Sequence, residues 1–138
     1  MESIAMDGFE LSPQQKRLFD LQHDGAKYHG HVTLAIEALE DRNAIKEAIR
    51  KVVARHEILR TTFRKLDGIT TPLQFISDEP DFVWEEIEAT SREEESVALE
   101  PHLSGTVGGF LGYGSPLRAC LIVRPGNNYV LHLFTPSV

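Results

Sequence analysis

The chain has 138 residues, of which 41% are hydrophobic, 8% aromatic and 25% charged, and 21 acidic against 14 basic side chains leave a formal charge of −7. At this length one domain with its own core is expected, since a chain of about 150 residues buries roughly 70% of the surface it exposes when unfolded. No run approaches the roughly 20 apolar residues of a membrane-crossing helix, and the negative balance argues against nucleic acid as a partner.

In chain order, residues 1–10 read as a tail. Glu2, Asp7 and Glu10 stand where a signal peptide would carry a basic region and an apolar core, so no secretory leader is expected. Residues 11–24 read as the first helix: Ser12 is its N-cap, Pro13 takes the first helical position, and Gln15 completes a capping box, with Gly25 as the stop. Leu18, Phe19 and Leu21 give this helix an apolar side. From residue 28 to 38 the period is two, with Val32, Leu34, Ile36 and Ala38 facing one way and His31, Thr33, Ala35 and Glu37 the other, as in a half-buried strand. Residues 42–59 form the strongest predicted helix, capped by Asp41, with Ile45, Ala48, Ile49, Val52, Val53 and His56 inward and Lys46, Glu47, Arg50, Lys51 and Arg55 solvated.

Residues 61–66 look extended, and Asp67-Gly68 predicts a two-residue type I′ hairpin whose second arm, because of Pro72, is an edge or irregular strand. A short strand over residues 82–88 carries Trp84. Ser91 and Glu94 predict a second capping box, Glu93 to Glu95 suit a first helical turn, and Pro101 should stop that helix. Five of the ten glycines fall at 105, 108, 109, 112 and 114 without the Lys-Ser/Thr of a phosphate loop, so a flexible connection is expected there.

The last two strands, residues 117–124 and 129–135, are joined by Pro125-Gly126-Asn127-Asn128. Ala119, Leu121 and Val123 line one face and Cys120 and Ile122 the other, a pattern for mid-sheet strands covered on both sides. Cys120 is the only cysteine: internal disulfides are excluded, a reducing cytoplasmic setting is expected, and the apolar run makes the residue a buried small hydrophobe rather than a nucleophile. Eight of the fourteen basic residues lie between Arg42 and Lys65 and ten of the acids between Asp78 and Glu100, so opposed patches could pair within the fold or serve docking.

Six histidines are the natural place to seek chemistry. His29 and His31 share a strand face at i, i+2, but no third ligand accompanies them, so no metal is expected. His56 reads as structural. His132, on a buried strand, is the one candidate general base; it needs a carboxylate partner to set its tautomer, and no Asp or Glu follows it. Ser115 and Ser137 lack a nucleophile elbow. The residues alone give an α+β domain, a mixed or antiparallel sheet with helices packed on it, and leave open a structural protein that self-associates through its apolar C-terminal hairpin.

Two segments carry a resemblance. Ser12-Pro13-Gln14-Gln15-Lys16-Arg17-Leu18-Phe19-Asp20-Leu21 resembles the Ser-x-x-Gln-x-Arg-Leu-Trp-x-Leu motif that opens condensation domains of nonribosomal peptide synthetases. Arg55-His56-Glu57-Ile58-Leu59-Arg60-Thr61-Thr62-Phe63 resembles their second motif, Arg-His-Glu-x-Leu-Arg-Thr-x-Phe, at every fixed position, and Gly114-Ser115-Pro116-Leu117-Arg118-Ala119 is similar to their Gly-Pro-Leu-x-Arg-Ala segment. The resemblance implies the chloramphenicol acetyltransferase-like fold, two lobes with the active site in a channel between them. Residues 11–138 would form the amino-terminal lobe, with the carboxy-terminal lobe outside the chain.

It further implies amide formation between acyl and aminoacyl thioesters carried on the phosphopantetheine arms of carrier proteins, with no directly bound cofactor. Partners would be such a carrier protein or a separately supplied carboxy-terminal lobe. Ser12, Gln15, Arg17, Leu18, Arg55, His56, Glu57, Arg60 and Phe63 would be structural motif residues, and Arg60 would pair with the Asp of the catalytic His-His-x-x-x-Asp-Gly motif. Thr135 and Pro136 stand where that motif's histidines are expected, and His132 does not fit the register. The chain is therefore expected to lack activity alone; a degenerate module that recruits a carrier protein or partner enzyme without catalysis is the alternative.

Overall fold

The computed structural model describes residues 8–23, 29–37, 41–64, 66–103 and 117–136. Two sheets organise them. The larger has strand order β2-β7-β6-β5, built from β2 (His29–Glu37), β5 (Val83–Glu88), β6 (Arg118–Arg124) and β7 (Asn128–Pro136). The smaller has order β1-β4-β3, from β1 (Gly8–Phe9), β3 (Thr61–Arg64) and β4 (Leu73–Ile76). Three α-helices accompany them, α1 (Pro13–His23), α2 (Arg42–Arg55) and α3 (Arg92–Leu103), with a 3-10 turn at Glu57–Arg60. This is the expected α+β class, and the larger sheet is mixed: β2–β7 and β6–β7 are antiparallel and β5–β6 parallel.

The hairpin of β6 and β7 sits mid-sheet, as its two apolar faces require. One face joins Ala119, Leu121, Tyr129 and Leu131 to Ile49 and Val53 of α2; the other joins Cys120, Ile122, Val130 and Phe134 to Ala89 and to Leu99 of α3. The chain's own helices thus pack on both faces of the hairpin through which self-association was left open. A third, smaller core packs Phe19 of α1 on Phe63 of β3.

Local signals fared unevenly. The first capping box is reciprocal: Ser12 N–H donates to Gln15 Oε1 at 2.8 Å and Gln15 N–H to Ser12 Oγ at 3.2 Å. Asp41 caps α2 by accepting from Asn43 N–H at 2.9 Å. The second box is half made. Ser91 Oγ accepts from Glu94 N–H at 3.2 Å, but the Glu94 carboxylate turns to Thr90 N–H at 2.7 Å instead of back to Ser91.

Several expectations are corrected. α2 ends at Arg55, four residues short, and His56 is an exposed, extended C-cap rather than part of an apolar helix face. The Asp67-Gly68 pair is not a type I′ hairpin: only Gly68 has positive φ, at +80°, and Arg64 pairs with Leu73, so the β3–β4 connection is long. The doubly left-handed pair is Gly126-Asn127, φ +78° and +58°, in the β6–β7 turn. β4 is central in its sheet, because Pro72 lies just outside the ladder and removes no donor from it. α3 runs through Pro101 to Leu103. The carbonyl that proline leaves without a donor belongs to Val97, which is 75% exposed and so open to water. Gly25 and the glycine-rich residues 105–114 lie outside the described residues.

Opposed charge patches meet at Arg42 and Glu86, 3.2 Å apart, while Arg124 holds Glu95 through two bonds of 2.5 and 2.7 Å and keeps that carboxyl below its ordinary range. Among the described residues no helix is long and apolar enough to cross a membrane.

Candidate functional site

The two motif segments come together on the small sheet. Phe19, in the first, packs on Phe63, in the second, and both are buried. Beside that contact Gln15 Nε2 donates to Gln74 Oε1 of β4 at 3.4 Å, and Gln74 Nε2 reaches the Glu10 carbonyl at 2.9 Å. Ser12 and Gln15 therefore act on α1's first turn and on its attachment to β4. Arg17 is exposed; Leu18 lies in α1, with its side chain outside the described residues.

The second motif builds the exit of α2. An α-helix leaves its last four carbonyls without internal donors. The His56 N–H takes the Val52 carbonyl at 3.1 Å. Arg60 takes the next two, Nε to Val53 O at 3.1 Å and Nη2 to Ala54 O at 3.2 Å, and its Nη1 bonds Ser77 O at 2.5 Å beyond β4. Positive charge at a helix C-terminus is the favourable sign. Arg60 thus bonds three backbone carbonyls, so its place is a clamp between α2 and β4, while the motif Asp expected to pair with it is not among the described residues. Arg55, His56 and Glu57 are exposed, and the Glu57 carbonyl accepts from Thr61 Oγ1 at 2.8 Å.

His132 lies on β7 opposite Thr33 of β2, on the α3 side of the large sheet, and only 7% of it is exposed. Its Nδ1 is 2.9 Å from His31 Nε2, and Thr33 Oγ1 stands 3.3 Å from both nitrogens. Phe134 stacks against His31 at 4.4 Å between centroids and against His102 of α3 at 5.0 Å; His102 Nε2 in turn meets Glu85 at 3.2 Å. Burial, then the neighbouring His31, pushes His132 below the ordinary histidine range, favouring its neutral form.

Sequence periodicity treats His31 and His132 separately. Strand register supplies the missing relation: Thr33 pairs with His132 and His31 with Phe134, so His31 and His132 are diagonal cross-strand neighbours on one face. An alternating strand shows which side a histidine faces, but not which strand lies beside it. Thr135 and Pro136 are still in β7, paired with Gly30 and His29, and Thr135 Oγ1 lies 2.9 Å from where a Cβ on residue 30 would stand. The buried Cys120 thiol is pushed up to about 12 by desolvation and then by Glu85, leaving it protonated and inert.

Comparison with known proteins places this architecture. The Condensation domain family matches residues 6–132. A plipastatin synthase from Bacillus subtilis is 33% identical over 125 residues, covering 88% of this chain and 5% of that protein; gramicidin S synthase 2 of Brevibacillus brevis is 35% identical over 79 residues, covering 55% and 2%. Among solved structures, the condensation domain of monacolin K polyketide synthase MokA superposes with a TM-score of 0.77 at 17% identity, covering 95% of this chain and 30% of that one. The epimerization domain from the third module of tyrocidine synthetase B gives 0.73 at 19%, covering 99% and 31%. The chain thus spans about a third of the solved domains it overlays and a small part of the curated relatives. A family match that crosses both motif segments and the sheets they support shows that the chain belongs to the condensation-domain family.

Proposed function

We propose that this chain is the amino-terminal lobe of a condensation domain from a nonribosomal peptide synthetase, and that it forms no amide bond by itself. The observation that carries the reading is the coverage: 95% of the chain lies on 30% of a solved condensation domain, within a family match over residues 6–132. In such an assembly the lobe supplies one wall of the channel where carrier proteins present an acyl and an aminoacyl thioester on phosphopantetheine arms. Its own chemistry supports incompetence alone. General-base work on an attacking amine needs an imidazole that is both oriented and reachable. Thr135 and Pro136 carry no such group, and His132 is buried with its Nδ1 turned to His31.

The test is incubation of the purified chain with two carrier proteins, one loaded with an acyl donor and one with an aminoacyl acceptor. The expected result is saturable binding of a carrier protein, read by fluorescence anisotropy, without amide product above the enzyme-free rate. Product made by the chain alone overturns the incompetence, and absence of carrier binding overturns its place beside the channel.

A further inference from the structure

We propose that the outer edge of β2 is a self-association surface: a second copy of this chain lays its own β2 antiparallel against the first and joins the two four-stranded sheets into one. Among the described residues β2 ends the large sheet, with β7 on one side and no strand on the other. Its nine residues run in unbroken register with β7, from His29 opposite Pro136 to Glu37 opposite Asn128, so no bulge turns the outer edge away. Residues 31–35 are all exposed, and Val32 and Leu34 keep 52% and 46% of their surface open. An outer strand of this length offers a row of unpaired N–H and C=O groups, which proteins ordinarily blunt with charge, proline or a bulge. The opposite edge of the same sheet is blunted: β5 has only six residues and carries Glu85, Glu86 and Glu88. β2 has no proline, and its one acid, Glu37, is its last residue.

The strand's own sequence identifies the occupant. Pairing about a two-fold axis at Thr33 sets Thr33 against its mate, Val32 against Leu34, His31 against Ala35 and Gly30 against Ile36. Odd positions meet odd and even meet even, so whichever set points its N–H and C=O outward finds the matching set, and each face of the sheet continues across the junction. On the α2 side, where Ile36 and Leu133 border the core, the exposed Val32 and Leu34 of the two copies cover one another. On the other side the two threonines meet, a cross-strand pair whose hydroxyls share a hydrogen bond. Charge agrees with this register. Glu37 falls opposite the position of His29, whereas a parallel pairing in register would set the two Glu37 side by side. Because each copy uses the same edge, the contact closes at two chains and leaves the acidic β5 edges outside.

The experiment follows the full chain by sedimentation velocity at rising concentration, where a monomer–dimer equilibrium is expected. Leu34→Lys puts a charge at an exposed position of the edge and should weaken the dimer at least about tenfold, with circular dichroism establishing that the variant is folded. Mild oxidation of Thr33→Cys should cross-link the two copies across the axis. Ala35→Cys should stay unlinked, since four strand residues, about 13 Å, separate it from its mate in this register. The native Cys120 is buried and takes no part in either variant. If Leu34→Lys unfolds, the cysteine variants decide: linking at position 33 alone supports the pairing, and equal linking at both positions, or none at 33, overturns it. A chain that stays monomeric up to about 200 μM, a folded Leu34→Lys that dimerises as tightly as wild type, or growth to species larger than a dimer also overturns the proposal.

Discussion

The Nε–H of Arg60 donates to the carbonyl of Val53 at 3.1 Å, across the break between α2 and the turn that leads into β3. With Ala54 O and Ser77 O also held, one guanidinium fixes where the helix stops and how the β4 end lies against it. Hydrogen bonds from a charged donor contribute about 1.5–3 kcal/mol, and deleting the donor strands acceptors that folding has part-buried. Arg60→Ala should lower unfolding free energy by about 2–3 kcal/mol in urea titration. Arg60→Lys should recover less than half, because a point ammonium lacks the planar fork that reaches three carbonyls. Full recovery by Lys would reduce the clamp to a charge effect at the helix terminus.

The capping boxes give a graded comparison. Ser12→Ala removes an acceptor for Gln15 N–H and should cost about 1 kcal/mol. Gln15→Ala should cost at least as much, since it loses both the reciprocal bond to Ser12 N–H and the link to Gln74. In α3, Ser91→Ala should likewise cost about 1 kcal/mol, and because Ser91 Oγ is bonded to Glu94 N–H, the double variant with Glu94→Ala should show a coupling rather than simple additivity in urea titration.

Legibility in the sequence followed the range of the physics involved. Caps and covered strands were readable because Ser12–Gln15 contacts are local and Ala119 to Val123 are apolar on both sides. β2 shows the limit. Its alternation marks Val32 and Leu34 as inward, yet they are 52% and 46% exposed, because β2 is the outer strand and the core beneath α2 is centred on β6 and β7, with Ile36 of β2 at its margin. The His31–His132 relation was unreadable for the same reason: it depends on a register between strands about a hundred residues apart. Family likeness marks Arg60 as a motif residue, but its backbone partners were not legible, because no side-chain pattern displays which carbonyls a helix end leaves open.

Cys120 offers a direct probe of the core. It is 1% exposed among Ile122, Val130 and Phe134, and its thiol is pushed up to about 12, so thiolate is scarce at neutral pH. Iodoacetamide at neutral pH should leave the native chain unlabelled for hours and modify it promptly in guanidinium chloride. Fast labelling of the native chain would mean that the β6–β7 core opens locally, without global unfolding.

The histidine pair makes stability depend on pH with a definite sign. Burial and His31 lower the His132 value in the folded chain below its ordinary 6.5, with Arg124 and His102 acting the same way and Glu95 opposing. The unfolded chain therefore binds more protons over that interval, and stability rises with pH there. His132 contributes its full stabilisation above about 6.5 and loses it as pH falls through the lower folded value. A second loss, from Glu95 held low by Arg124, begins only below its ordinary 4.5. Urea midpoints measured from about pH 8 to about pH 5 should fall below about 6.5 in the wild type and stay nearly flat in His132→Gln. Equal slopes in the two proteins would show that the buried imidazole does not carry the dependence.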